Sequence, residues 1–394
     1  MEWILQNARI NANGDLVDVG IDGGKIVAVE PRLTAVSAQT WDLAGRVLLP
    51  GLVDIHTHLD KTYSTIENQS GTLLEAIRIW GKERQRRTRE QVRAAVTRAL
   101  KTAVSNGLTA MRSHIDSGAS DETLDTILQV RDEWRDKIDL QLVALGIDGV
   151  DMARLERHFG FLGGAPALHD EPQDKIDRVF ELAERLGKPI DFHIDETEDP
   201  TMLTLEYVAE QTVARGMVGQ VTAGHCVSLA FVDEETAVRV IEKVAKAEIN
   251  IVTLPSCNLV LMGREMSPTP RGTTRVKQLL AGGVNVCAAS DNVHDPFNPF
   301  GSYDLLQIAN INAHVAHMTG ESELYESLAM VTARPSRAMG LGGGKIGVGK
   351  TADLVVVDCQ TMLEAVVSPP ARLGTFKNGR LIVKTEIKRS WYDL

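Results

Sequence analysis

The sequence predicts an α/β fold, a (β/α)8 TIM barrel with a small β-sandwich domain built from both chain termini. Three observations lead to this prediction. Apolar β-rich runs alternate with helical patterns through the middle of the chain, eight such runs can be counted, and both ends instead carry short β-type runs between glycine-rich turns. Alternating strands and helices are typical of parallel βα units, and eight of them favour a closed barrel over an open sheet.

The two ends of the chain are expected to form one small β domain, residues 1-50 together with 343-394. The first segment contains four short β-type runs: Trp3 to Ile10, Leu16 to Ile21, Lys25 to Val29 and Thr40 to Leu49. The last segment has a similar texture, and Asn378-Gly379 marks a hairpin there. Residues 51-342 would then form the barrel.

The eight predicted barrel strands are Leu52 to Asp60, Leu108 to Asp116, Ile138 to Gly146, Phe161 to Leu168, Pro189 to Glu196, Gln220 to Val227, Ile249 to Ser256 and Val284 to Asn292. Segments with apolar residues at helical spacing separate them, and the clearest are Arg87 to Ser105, Asp174 to Leu186, Asp233 to Ala247 and Glu321 to Met339. Gly187 stands where one of these helices should end.

The first predicted strand ends in His56-Thr57-His58. Because side chains alternate along a strand, the two histidines point to the same face, roughly 6–7 Å apart, which is close enough to bind one metal ion. On these two residues alone, buried histidines satisfied by backbone groups are an equally good interpretation.

Polar residues end several of the other predicted strands. They are Arg112, His114 and Asp116, then His193, Asp195 and Glu196, then His225, and finally Ser290, Asp291 and Asn292. Five of the ten histidines therefore fall at strand ends, which a barrel gathers on one rim. His56, His58, His193 and Asp291 offer the nitrogen and oxygen ligands that suit Zn²⁺ or Fe²⁺, and a bound divalent ion makes a hydroxide nucleophile from water.

Glu196 is a candidate proton shuttle if the turn after its strand aims it into the barrel mouth; the alternative is an exposed carboxylate. His225 could polarise a substrate or act as a fourth imidazole ligand. His114 could contact substrate or orient a ligand. Arg112 and Asp116 are expected to serve a structural ion pair.

The bulk composition restricts the class of partner. The net charge of -11 and the absence of a purely basic block argue against nucleic acid. The four cysteines are widely spaced, which fits the reducing cytoplasm and not a disulfide framework or a zinc ribbon. No apolar run is long enough for a signal peptide or a membrane span.

These motifs resemble the amidohydrolase superfamily, and within it the cytosine deaminase-like branch, which also includes N-isopropylammelide amidohydrolase. The resemblance covers nearly the whole chain, and the stretches that carry it are Pro50-Gly-Leu-Val-Asp-Ile-His-Thr-His58, Ser70-Gly-Thr-Leu-Leu-Glu75, Arg112-Ser-His-Ile-Asp116, His193-Ile-Asp-Glu196, Ser290-Asp-Asn292 and Ala333-Arg-Pro-Ser-Arg337.

The resemblance implies that His56, His58, His193 and Asp291 bind one catalytic metal ion. It further implies that Glu196 moves protons to the leaving nitrogen, that His225 hydrogen-bonds the substrate, and that Asp291 also acts as a base. Dinuclear relatives carry a lysine at the end of the fourth strand. This chain has none in Phe161 to Leu168, which favours a single ion, Zn²⁺ or Fe²⁺.

Two positions bear on the substrate. Cytosine deaminases carry a glutamine just after the third strand, where this chain has Gly146 or Ile147. Loss of that amide would leave the edge of cytosine unpaired, at a cost of roughly 1–3 kcal/mol or more. Phe297 falls where the deaminases place an aromatic residue beside the substrate ring, so it could stack there or fill core.

The resulting hypothesis is a metal-dependent hydrolytic deaminase of a small N-heterocycle such as an aminopyrimidine or triazine, in which metal-bound hydroxide attacks the amine-bearing carbon and ammonia leaves. The first alternative is an amidohydrolase that releases an alkylamine from an N-substituted triazine or opens a cyclic amide or imide. The second is a noncatalytic metal-binding scaffold. A homo-oligomer is expected from the family.

Overall fold

The computed structural model describes residues 1–12, 14–116 and 118–392. Its strands are β1 (Trp3–Arg9), β2 (Leu16–Asp22), β3 (Lys25–Glu30), β4 (Gln39–Asp42), β5 (Val47–Pro50), β6 (Leu52–Thr57), β7 (Leu108–Asp116), β8 (Asp139–Leu145), β9 (Phe161–Gly163), β10 (Ile190–Ile194), β11 (Val221–His225), β12 (Asn250–Thr253), β13 (Asn285–Ala288), β14 (Leu354–Val357), β15 (Arg372–Lys377) and β16 (Arg380–Lys384).

The α-helices are α1 (Leu73–Glu83), α2 (Arg89–Ser105), α3 (Asp121–Trp134), α4 (Met152–His158), α5 (Pro172–Leu186), α6 (Thr204–Ala214), α7 (Glu234–Lys246), α8 (Pro255–Leu261), α9 (Val276–Ala281), α10 (Leu305–Val315), α11 (Glu321–Ala329), α12 (Ala333–Ala338) and α13 (Met362–Val367). Short 3₁₀ helices cover Pro166–Leu168 and Val227–Ala230. Among the described residues, no helix combines the length and the apolar character needed to cross a bilayer.

Strands β6 to β13 form a parallel sheet in sequence order. The sheet closes between its first and last strands through a parallel bridge from Thr57 to Asp291, supported by a backbone hydrogen bond of 2.8 Å from Asp291 N to His56 O. Helices between the strands pack against the outside of the sheet around a buried apolar core. The predicted TIM barrel is confirmed.

All eight predicted barrel strands are present, but several end earlier than predicted. Asp195, Cys226 and Asp291 have φ angles of 50°, 52° and 59°, so the chain leaves the extended conformation at these residues. Residues other than glycine seldom adopt a positive φ angle. The sharp turns that result aim the polar side chains at the strand ends into the barrel mouth.

The predicted helix from Glu321 to Met339 is in fact two helices, α11 and α12. Between them, the carbonyl of Met330 accepts from Ala288 N at 2.9 Å and that of Val331 accepts from Val53 N at 3.0 Å. These carbonyls accept from the first and last barrel strands, and Pro335, four residues after Val331, has no N–H with which to continue the helix. The helix end that we predicted at Gly187 is present: α5 ends there, and Gly187 has a left-handed φ of 61°.

The remaining strands join both ends of the chain in one mixed sheet, in the order β16-β15-β14-β5-β1-β2-β3, with β4 also paired to β1. β5 and β14 pair antiparallel and connect the N-terminal strands to the C-terminal ones. Leu5, Ile26 and Phe376 are buried in the core of this unit. The small β-sandwich domain built from both termini is thus present, and the limits 1-50, 343-394 and 51-342 stand as our proposal.

Candidate active site

The carboxyl ends of four barrel strands bring the predicted polar residues together. His56 and His58 come from β6, His193 from β10 and His225 from β11, while Asp291 follows β13. The bridge that closes the barrel holds this set in register, since Thr57 Oγ1, between the two histidines of β6, donates to the Asp291 carbonyl at 2.8 Å. Barrel closure therefore positions Asp291 beside His56 and His58.

Three imidazole nitrogens and one carboxylate oxygen converge on a single point. The Nε2 atom of His193 lies 3.2 Å from Nε2 of His56 and 3.2 Å from Nε2 of His58. Asp291 Oδ1 lies 3.2 Å from His58 Nε2 and 3.7 Å from His56 Nε2. Ligands about 2.0–2.1 Å from a tetrahedral ion are separated by roughly 3.3 Å, so this spacing fits one divalent ion.

The electrostatics of the cluster also suit a cation. Burial, together with neighbouring positive charge, holds the pKa values of His56, His58 and His193 well below the usual range, which leaves their lone pairs free. Burial raises the pKa of Asp291 to about 7, and both its carboxylate oxygens are buried without a hydrogen-bond partner among the described residues. Such orphaned acceptors are costly unless something binds them.

His225 also has a nitrogen within 4.8 Å of the cluster formed by His56, His193 and Asp291. Its Nδ1 accepts from the Asn258 side-chain amide at 3.1 Å, which leaves the proton on Nε2. Nε2 lies 4.0 Å from Asp291 Oδ2 and faces the cavity. His225 is therefore arranged as a hydrogen-bond donor to a bound molecule and not as a fourth ligand.

Glu196 projects into the same space and is only slightly exposed. Its Oε1 lies 3.3 Å from His225 Nδ1. Burial and the adjacent charge of Asp291 raise the pKa of Glu196 well above its ordinary value. A carboxyl group whose pKa is raised in this way is suited to act as a general acid.

His114 lies behind the cluster and not on the cavity. Its ring centroid is 4.1 Å from that of His56, and its Nε2 lies 3.5 Å from Asp191 Oδ1. Completely buried there, it can orient His56 but does not line the space where substrate would sit. Among the two roles considered for His114, the geometry supports the orienting one, and the predicted substrate contact is corrected accordingly.

Arg112 and Asp116 form ion pairs, although not with each other. Four residues apart on one strand, they are too far apart to touch. Arg112 donates to Asp191 Oδ2 at 2.8 Å beneath the histidine cluster, and Asp116 accepts from Arg84 at 2.9 Å. Arg112 thus supports the floor of the site.

A cavity of about 240 Å³ opens above the cluster. His58, His193, Glu196, His225 and Asp291 form its floor, and its walls are largely apolar, with the main contributions from Leu73, Ile77, Trp80, Leu145, Leu168 and Phe297. The walls would hold a flat apolar ring over a polar floor.

Two predicted substrate contacts fall differently on this cavity. Phe297 lines it and also packs against a small apolar cluster, and its stacking on a substrate ring stays a prediction. After β8, however, Gly146 lies on the wall and the half-buried Ile147 packs against the barrel core, so the structure does not bring Ile147 to the cavity. The chain turns at Gly146 with a φ of 90°, which directs the next side chain away.

Sequence reasoning missed several residues of the site: Lys61, Trp80, His169 and Asn258. For Lys61 a signal existed, since it stands three residues after His58, directly after the motif that ends the first strand. Trp80 lies five residues after Ser70–Glu75, and His169 directly follows the predicted fourth strand, so position along the chain gave a signal for both that was not used. Asn258 contacts His225 from a helix that follows β12, and its type alone carries no signal.

Comparison with known proteins agrees with this geometry. The chain is 33% identical over 383 residues to a pterin deaminase of Rhizobium rhizogenes, covering 93% of this chain and 87% of the relative. It is 29% identical to N-isopropylammelide isopropyl amidohydrolase of Pseudomonas sp. strain ADP, covering 98% of each. The crystal structure of 5-methylcytosine deaminase from Klebsiella pneumoniae, liganded with phosphonocytosine, superposes with a TM-score of 0.92 at 30% identity, covering 99% of this chain and 100% of that one.

The family model agrees with the relatives. The model described as the amidohydrolase family matches residues 71–383, which include most of the barrel and the C-terminal strands. The matched segment contains His193, His225 and Asp291. This chain belongs to the amidohydrolase family and is a hydrolase acting on carbon-nitrogen bonds other than peptide bonds.

Proposed function

We propose that this protein is a metal-dependent deaminase that hydrolyses the exocyclic amine of a small N-heterocycle and releases ammonia. One observation carries the proposal: a buried carboxyl group with a raised pKa, Glu196, stands beside His225 on the cavity floor, next to the His/Asp cluster. Hydrolysis of an amine-bearing ring carbon needs a nucleophile, a group that steadies the tetrahedral centre and an acid for the departing nitrogen.

His56, His58, His193 and Asp291 are the residues that would hold the ion. When bound, a divalent ion supplies a nucleophile near neutral pH by lowering the pKa of water and polarises the reacting centre. Asp291 Oδ2, which has no hydrogen-bond partner among the described residues, can accept the proton that the attacking water gives up. Asp291 Oδ2 lies 4.0 Å from His225 Nε2, which supports a shared role of this acceptor and this donor at one reacting centre.

Glu196 and His225 would divide the remaining work. Glu196 gives its proton to a ring nitrogen as the carbon becomes tetrahedral, then takes up the proton of the new hydroxyl group on that carbon and passes it to the amine as the C–N bond breaks. The carbon keeps the oxygen as a carbonyl, ammonia leaves, and the proton that Asp291 took up returns to Glu196 through solvent before the next turnover. Burial lowers the pKa of His225 to about 3, so the ring stays neutral and donates only through Nε2. Preorganised donors of this kind stabilise developing charge without reorganising.

The cavity supports a flat heterocyclic substrate, because Trp80 and Phe297 provide aromatic walls. The relatives named above as pterin deaminase and 5-methylcytosine deaminase are consistent with it. Both names describe removal of an amine from a heterocycle. We extend that chemistry to this chain and leave the ring to experiment.

The test is ammonia release by metal-loaded protein across a panel of aminopyrimidines, aminotriazines, aminoimidazolones and pterins. Glu196→Gln should abolish turnover while elemental analysis finds the metal still bound. Asp199→Asn is the matched control, because it makes the same change at an exposed carboxylate in the same loop and should behave like wild type. Full activity in Glu196→Gln would remove Glu196 from the mechanism.

A second candidate, release of an alkylamine from an N-substituted triazine, follows from the 29% identity to N-isopropylammelide isopropyl amidohydrolase over 98% of both chains. Hydrolytic opening of a cyclic amide or imide is part of the same alternative. The products separate the candidates, since an amine or a ring-opened acid would appear instead of ammonia. Mass analysis of the same reactions detects either product.

We further propose that the ion is Zn²⁺ or Fe²⁺, since three imidazoles and one carboxylate suit both. All four cysteines are buried and free, which fits a reducing compartment such as the cytoplasm. The net charge of -11 supports a small molecule and not a nucleic acid as the partner. We also expect a homo-oligomer, which sedimentation analysis would test.

A further inference from the structure

Lys61 is a buried lysine that none of the proposed chemistry uses. Only 4% of its surface is exposed, and it lines the active-site cavity. Lysine is almost never buried unless its charge is paired. A lysine held at this position therefore calls for an explanation.

The protein around Lys61 leaves much of its hydrogen-bonding capacity unused. Within the described residues its one hydrogen-bond partner is His58 Nδ1, 3.0 Å from Nζ. The nearest carboxylate oxygen, Asp60 Oδ1, is 3.9 Å away, too far for a hydrogen bond although close enough to offset charge. An ammonium group has three N–H donors and no acceptor, so at least two donors lack a protein acceptor.

The unused donors lie at the active site. Because Lys61 lines the cavity, its ammonium group is left to find the remaining acceptors inside that cavity.

The aromatic residues of the cavity place this ammonium at the edge of the space for a substrate ring. Nζ lies 5.8 Å from the centre of the Trp80 ring and 5.9 Å from that of Phe297. A flat ring packed against either aromatic wall has its substituents within reach of Nζ. The ammonium can only donate, so it favours an oxygen there and disfavours a second amine.

We propose that Lys61 is a specificity-determining residue, which selects substrates by binding a carbonyl oxygen on the ring that bears the amine. This inference rests on the proposed deamination for the amine, but the oxygen contact stands on the geometry of Lys61 alone. A site built to pair a polar substituent rejects the analogue that lacks it, because the buried donor is then left unpaired.

The experiment compares matched pairs that differ by this oxygen: cytosine with 4-aminopyrimidine, isocytosine with 2-aminopyrimidine, and pterin with 2-aminopteridine. Turnover is measured as kcat/KM by ammonia release, and binding by calorimetry in the Glu196→Gln background, where binding does not require reaction. A hydrogen bond from a charged donor should favour the oxo member of at least one pair by about 10- to 100-fold.

Lys61→Met should reduce that preference to within a few-fold by weakening the oxo member, with the metal content unchanged. Lys82→Met, the same change at an exposed lysine of α1, should keep the wild-type preference. An equal loss for both members of a pair, or loss of metal, would mean that Lys61 only positions His58 and would overturn the proposal.

The two proposals fail separately. Lys61-dependent binding of an oxo ring without ammonia release would retain the oxygen contact and refute deamination. Ammonia release with the same preference for the oxo member in wild type and in Lys61→Met would retain deamination and refute the oxygen contact. If no member of any pair binds, both proposals are overturned.

Discussion

The buried guanidinium of Arg112 offers the sharpest test of how the floor of the site is held. Its side chain is completely buried, as is that of its partner Asp191. Besides the 2.8 Å bond to Asp191 Oδ2, it donates to Gln141 Oε1 at 3.0 Å, Thr222 Oγ1 at 3.3 Å and the Ala338 carbonyl at 3.2 Å. These bonds tie four separate parts of the barrel together beneath His56 and His114.

We expect Arg112→Met to reduce the free energy of unfolding by about 3–5 kcal/mol, the usual cost of removing one partner of a buried ion pair. The hydrogen bonds support this figure, since the bond to a carboxylate is worth about 1.5–3 kcal/mol and each neutral bond about 0.5–1.5 kcal/mol. Most of the loss in stability comes from Asp191, because the variant leaves its buried carboxylate without a partner. Burial raises the pKa of Asp191 to about 6, and Arg112 offsets the charge of this group.

Chemical denaturation followed by circular dichroism measures the effect. The double variant Arg112→Met/Asp191→Leu should recover part of the loss, because it removes the unpaired carboxylate as well. Arg93→Met is the control, since the Arg93–Glu133 pair is 44% and 50% exposed and such pairs contribute about 0–1 kcal/mol. The reasoning fails if Arg112→Met costs no more than Arg93→Met, or if the double variant is no more stable than the single one.

Two further predictions concern backbone conformation and the ion. Gly187→Ala should lower the free energy of unfolding by about 1 kcal/mol, because the φ of Gly187 is left-handed at 61°, although an added Cβ would meet no atom within 4 Å. Gly81 lies inside α1, where an added Cβ is equally unobstructed, so Gly81→Ala should instead raise the free energy of unfolding by about 0.5–1 kcal/mol. Thermal denaturation that shifted both variants the same way would contradict this. Chelation of the ion should lower Tm, and Zn²⁺ or Fe²⁺ should restore it, because an ion at 1,000 times its Kd adds about 4 kcal/mol. A Tm unchanged after elemental analysis shows the ion gone would count against the site.

The order of secondary structure could be predicted because it depends on local patterns. Eight apolar runs alternating with helical ones are sufficient to indicate a barrel, and the barrel in turn places His56, His193 and Asp291 on one rim. The split between α11 and α12 was not predicted, although Pro335 is a signal for it, because proline has no N–H to bond the Val331 carbonyl in a continuous helix. The partner that this carbonyl has instead, Val53 N, lies on a distant strand. Periodicity along the chain contains no information about such bonds.

The candidate site shows the same division. His58 and Glu196 stand in motifs that point to their chemistry, whereas Lys61, Trp80 and Asn258 acquire meaning only from their neighbours in space. Ile147 shows the limit most clearly. A register counted from the sequence cannot distinguish it from Gly146, and the left-handed turn at Gly146 decides which of the two faces the cavity.

By itself, the sequence determined the fold class and the types of side chain available to bind an ion, since both follow from composition and from spacing along the chain. The tertiary structure alone decided which of those side chains meet. Closure of the barrel through Thr57 and Asp291 brings together residues more than 200 positions apart, and burial then shifts their pKa values toward the chemistry we propose. Distances and desolvation are properties of the folded chain, and they decide what the site can do.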